Sequence, residues 1–158
     1  MTFIAHLVTA FVLGLSLLPS TTAQAEGRTT FVGMWAYNAK ASTPTANTYA
    51  YRRIIVSAAG TGLTFRIEEA LADGPEMRWG FTTPGDGTPA AVTGIGAIDT
   101  VVANVEARSG VFQYRKGAAV ITHSLTEISE DGAVLTITSS RTAPDGTPVK
   151  ARTVYRRQ

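Results

Sequence analysis

The sequence predicts an all-β domain, an antiparallel up-and-down barrel of about eight to ten strands. Three observations carry that prediction. Beyond Ala25 helical periodicity is almost absent, and apolar residues recur at every second position instead. Turn chemistry rich in Gly, Asp and Pro interrupts this alternation at spacings of roughly 8–12 residues. An antiparallel meander of that many strands eliminates its unpaired edges by closing on itself.

Phe31 to Asn38 reads as the first strand, and Lys40 to Thr48 as a polar, turn-rich connection. Tyr49 to Ser57 and Leu63 to Leu71 form a hairpin across Ala58-Ala59-Gly60-Thr61-Gly62, whose glycines permit positive φ. Leu63, Phe65, Ile67 and Leu71 share one face with Glu69, while Arg66 and Glu68 fall opposite. In Glu76 to Thr83, Met77, Trp79 and Phe81 alternate with Arg78 and Gly80. Ala90 to Thr93, Asp99 to Arg108 and Val111 to Arg115 follow. Ala119 to Ser129 and Val134 to Arg141 are joined through Glu130-Asp131-Gly132, and Val149 to Arg156 is the last strand. Asp-Gly-Thr-Pro occurs at Asp86–Pro89 and again at Asp145–Pro148; the strands around the two copies differ, so these are two similar turns and not a duplication.

The first 25 residues stand apart. An apolar run from Phe3 to Leu18 is stopped by Pro19 and followed by the small-residue site Ala23-Gln24-Ala25. That layout predicts a secretory signal peptide over residues 1–25, too short for a membrane span of roughly 20 apolar residues. Residues 26–158 are then a single domain, expected to be secreted or periplasmic, with no stable membrane insertion after cleavage. There is no cysteine, which excludes thiol catalysis, Cys-ligated zinc and a lipidated N-terminal Cys, and leaves the hydrophobic core to stabilise the domain alone. A net charge of +2 is too small to imply nucleic acid as a partner. His123 is the sole histidine beyond the signal segment, so a site built from two imidazoles is ruled out. No motif for a metal or cofactor is present, and none is expected.

Two ends of the domain resemble a family of small exported bacterial lipocalin-like (calycin) barrels, mostly of unknown role. At the start, Phe31-Val32-Gly33-Met34-Trp35 followed by Asn38-Ala39-Lys40-Ala41-Ser42 is similar to that family's Gly-x-Trp…Asn-x-x-Lys-Ser opening. Near the end, Ile128 to Thr138 is similar to its Val-Ser-x-Asp-Gly-x-x-Leu-Thr-x-Thr hairpin, and the Asp145-Gly146-x-Pro turn and Val154-Tyr155 also match. The resemblance implies a barrel able to hold a small apolar molecule. It also implies a Trp35 plug at the closed end, with a cation from Arg156 or Arg152 over its face.

Strand phase nominates an interior set. His123 is in phase with Ile121 and Leu125, and Glu127 continues that phase. Glu69 shares its face with Phe65 and Ile67, and Arg53 shares a face with Tyr49, Tyr51 and Ile55. Because Arg52 precedes Arg53, one arginine faces each side, and a one-residue bulge would exchange them. The leading expectation is a pocket for a small apolar or amphipathic ligand among Tyr51, Phe65, Trp79, Phe81, Tyr114, His123 and Glu127. The alternative is an isomerase, cyclase or lyase in which His123 transfers a proton, with Glu69 or Glu127 as partner and Arg53 or Tyr114 stabilising negative charge. On either reading Glu69 and His123 point inward, and Arg53 is the expected partner.

Overall fold

The computed structural model describes residues 29–43, 49–143 and 145–158. The predicted signal peptide, the tip of the Lys40–Thr48 connection and Pro144 lie outside the described residues. A 3-10 turn at Thr29–Phe31 leads into β1 (Gly33–Tyr37), and a second at Ala39–Ala41 follows it. The remaining strands are β2 (Tyr49–Ala59), β3 (Gly62–Leu71), β4 (Glu76–Thr83), β5 (Asp86–Thr93), β6 (Thr100–Val105), β7 (Ser109–Lys116), β8 (Ala119–Ile128), β9 (Val134–Thr142) and β10 (Pro148–Arg157). Each pairs antiparallel with its chain neighbour, and β1 closes the barrel against β10. The predicted all-β, up-and-down barrel is what forms.

Alternation dictates which face each strand buries. Leu63, Phe65, Ile67 and Glu69 of β3 point inward, as do Trp79 and Phe81 of β4. Phe65 stacks on Phe81 at 4.9 Å between centroids and meets Phe112 edge-on at 5.5 Å, so the aromatic core is interlocked. β5 departs from β4 after only two paired positions, Gly80↔Thr93 and Phe81↔Val92. Where β5 ends, Gly94 takes φ +87° against β4, and a Cβ there would stand 2.2 Å from the Arg78 carbonyl oxygen, so no other residue fits.

One end of the barrel is plugged. Phe31 and Trp35 are fully buried, and the Trp35 indole N–H donates to the Phe31 carbonyl at 2.9 Å. The cation over the Trp35 ring is Arg157, at 4.1 Å, and not Arg156 or Arg152. Register explains the correction: Trp35 pairs with Arg157, which therefore shares its face, whereas Arg156 lies opposite Ala36.

Two phase assignments are corrected. On β8, the side that looked apolar faces out: Leu125 is 41% exposed, and His123 and Glu127 are exposed with it. Pairing decides the matter, because Phe112 is buried inside and stands opposite Ser124, while His123 faces Gln113 and Leu125 faces the 46% exposed Val111. The barrel interior along β8 is lined by hydroxyls, Ser124 and Thr126, so hydrophobicity alone misassigns the face. On β2, a bulge lies between Tyr49, opposite Leu71, and Tyr51, opposite Ala70. It puts Tyr49 and Arg52 on the inner face together and sends Tyr51 and Arg53 to the outer wall.

Candidate functional site

The inward Arg52 organises the site. It sits opposite Glu69 in the β2–β3 register, and its Nε lies 2.9 Å from Glu69 Oε2. Both side chains are largely withdrawn from solvent, at 17% and 7% exposure. The two groups attract by charge without the alignment of a full hydrogen bond, since neither atom has a well-directed partner. Glu69 Oε1 accepts the Trp79 indole N–H at 3.1 Å, which fixes the carboxylate from the side away from Arg52. Glu69 thus points inward as expected, but its partner is Arg52. Arg53 instead joins Arg66 in pairing with Glu68 on the opposite face of the sheet.

Tyrosines surround the guanidinium. Arg52 Nη1 donates to the Tyr49 hydroxyl at 3.3 Å, and the guanidinium carbon lies 4.8 Å from the Tyr49 ring centroid. Burial works against the Arg52 charge, but Tyr155, Tyr49 and Glu69 together favour it and hold its pKa above the usual value. Burial likewise pushes the Tyr114 phenol well up, with Arg52 pulling the other way, and Tyr155 and Tyr49 shift upward for the same first reason. All three phenols are therefore neutral donors at neutral pH. The Tyr155 hydroxyl is buried without a well-aligned hydrogen-bond partner.

Above this cluster lies a cavity of about 340 Å³, at the end of the barrel opposite the Trp35 plug. Arg52, Tyr49 and Tyr114 line its inner part and Arg141 its rim. The hydroxyls of Thr122, Ser124, Ser139 and Thr153 line it, interleaved along β8–β10 with the aliphatic Ile137, Val149 and Ala151, and Ile98 completes the lining. Arg52, Tyr114 and Ile137 also roof a second, much smaller void of about 40 Å³ over Phe65, Phe81 and Phe112. That void has room for about one water molecule and no ligand. A wider groove of about 580 Å³ runs over β3–β5 beside Arg66, Arg78 and Gly94. It is shallow and gathers no converging polar cluster, so the barrel cavity is the candidate site.

No family model, curated protein or solved structure matches this chain.

Of the residues nominated from sequence, Tyr114 lines the cavity and Glu69 stands behind Arg52, while Trp79 supports Glu69 and meets the Tyr114 ring at 6.2 Å. Phe65 and Phe81 belong to the packed floor. Tyr51, Arg53, His123 and Glu127 fall on the outer wall and do not join the others. Arg52, Tyr49, Arg141 and the lining hydroxyls of Thr122, Ser124, Ser139 and Thr153 were missed. The one sequence signal for Arg52 was the Arg52-Arg53 doublet, which demands one inward arginine without saying which. Among the described residues no group of three or more His, Asp or Glu is placed to hold a metal ion.

Proposed function

We propose that this chain is an exported lipocalin-like barrel that binds one small amphipathic molecule, and that it works by binding and not by catalysis. The observation that carries the reading is the 340 Å³ cavity with a buried guanidinium at its base and a lining of interleaved hydroxyl and aliphatic side chains. Such a chamber suits a ligand with an apolar body and a polar group. Closure of the far end by Phe31, Trp35 and Arg157 supports the lipocalin-like reading, and the Ala23-Gln24-Ala25 site supports export. Proton transfer is the weaker reading because His123, its intended base, is exposed on the outer wall away from Arg52, Glu69 and Tyr114.

Tryptophan emission tests the reading directly. Trp79 touches both Glu69 and Tyr114, so an occupant resting on Arg52 or Tyr114 alters its surroundings. A panel of short-chain amphiphiles, small aromatic metabolites and quinones is expected to include at least one compound with a saturable emission change and a raised melting temperature. A panel that moves neither observable up to millimolar concentration defeats the proposal.

A further inference from the structure

We propose that the cavity selects a small organic monoanion, its negative group held between Arg52 and Arg141. The inference rests on the binding reading above and adds the charge and size of the ligand.

Charge is the first ground. Two guanidinium groups line the cavity and no carboxylate does. Glu69 neutralises Arg52 from behind, at Nε, outside the cavity lining. Arg52 Nη1 donates to Tyr49 at 3.3 Å, and the guanidinium also lines the cavity. Arg141 at the rim has no ion pair among the described residues either. The nearest acidic residue along the chain to the lining Ile98 is Asp99, and its carboxylate is occupied by Lys116 Nζ at 2.7 Å and the Gly117 amide at 2.9 Å. With Arg52 and Glu69 cancelling, the chamber keeps one uncompensated positive charge, which a single negative charge balances. Tyr49 feels both arginines, so its hydroxyl stands where the two fields overlap.

Hydrogen bonding points the same way. A carboxylate offers only acceptors, and the inner part of the cavity offers donors in the Arg52 guanidinium, the neutral Tyr114 phenol and the Ser124 hydroxyl. A cationic head would meet two like charges in a partly enclosed space. Size is the second limit. A volume of 340 Å³ equals about eleven waters at roughly 30 Å³ each, enough for an arylalkanoate and too little for a long-chain fatty acid.

Three probes of equal size separate the possibilities: 3-phenylpropionate, 3-phenylpropanamide and 3-phenylpropylamine, titrated calorimetrically against the mature protein at pH 7. The acid is expected to bind at least about tenfold more tightly than the amide, and the amine more weakly still. Raising the salt concentration should weaken the acid alone. Arg52→Gln disturbs a buried pair and so risks misfolding; Arg141→Gln alters an exposed residue and avoids that risk. It should weaken the acid about fivefold while leaving the amide within about twofold. Amide or amine binding as tight as the acid, or an acid affinity unmoved by Arg141→Gln, overturns the monoanion inference and leaves the cavity reading standing. Failure of all three probes to bind overturns the monoanion inference as stated, while the cavity reading is decided by the wider panel above.

Discussion

Arg157 holds the plugged end by lying over Trp35 while also binding three backbone carbonyls. Its guanidinium is 4.1 Å from the Trp35 ring, and its nitrogens donate to Gly132 at 2.8 Å and to Val32 and Thr30 at 2.6 Å each. A planar fork with donors on every edge can serve all of these together; an ammonium cannot. Arg157→Ala should therefore cost about 2–4 kcal/mol, the sum of a cation–π contact and stranded carbonyls. Arg157→Lys should recover less than half of that. Urea midpoints of the three proteins check both statements, and a lysine variant as stable as wild type would contradict the fork argument.

The Arg52–Glu69 pair lies where an unmatched charge is costly. Glu69→Leu leaves the Arg52 guanidinium without its counter-charge and should destabilise the fold by about 3–5 kcal/mol. Combining it with Arg52→Met removes both charges and should restore most of the loss, because apolar side chains replace a buried ion pair at little cost. Chemical denaturation of the two single variants and the double variant measures the coupling. A double variant no more stable than Glu69→Leu alone would place the loss elsewhere, in the Trp79 hydrogen bond.

Alkaline stability follows from the buried phenols. Tyr114, Tyr155 and Tyr49 titrate above their usual value in the folded chain, while in the unfolded chain each loses its proton near pH 10. The folded state therefore binds more protons between pH 10 and these raised values, so stability falls as pH rises through that window and is unaffected at pH 7. The melting temperature is expected to drop steeply from about pH 10 upward, and Tyr114→Phe should make that drop shallower. An unchanged slope in the variant would show that Tyr114 ionises freely in the folded protein.

The fold was legible because strand content and hairpin turns are local properties. Glu130-Asp131-Gly132 marks the β8–β9 turn, and the alternation of Phe65 with Ile67 or of Trp79 with Phe81 gives inner faces that the barrel keeps. The site was legible only in part, because it depends on phase, and phase is set by pairing across strands. On β8 the alternation itself is clean, yet Phe112 decides that Ser124 faces in and Leu125 out. A bulge at Ala50, invisible in a run of Tyr, Ala, Tyr and Arg, makes Arg52 and not Arg53 the inward arginine. A core can be predicted from apolar side chains, but a hydroxyl-lined chamber inverts the rule by which the inside is recognised.

The seam between β1 and β10 has a kinetic consequence. Every other strand pair joins chain neighbours and can zip from its own turn, whereas this one ties Arg157 to Val32, 125 positions away. Its ordering entropy is the largest of any ladder in the molecule, so the seam is expected to close last. Until it does, the curled sheet carries two raw edges and an unsheltered Trp35, the form most exposed to proteases and to pairing with another chain. The final three residues of β10 are thus the latch that converts an adhesive sheet into a sealed vessel.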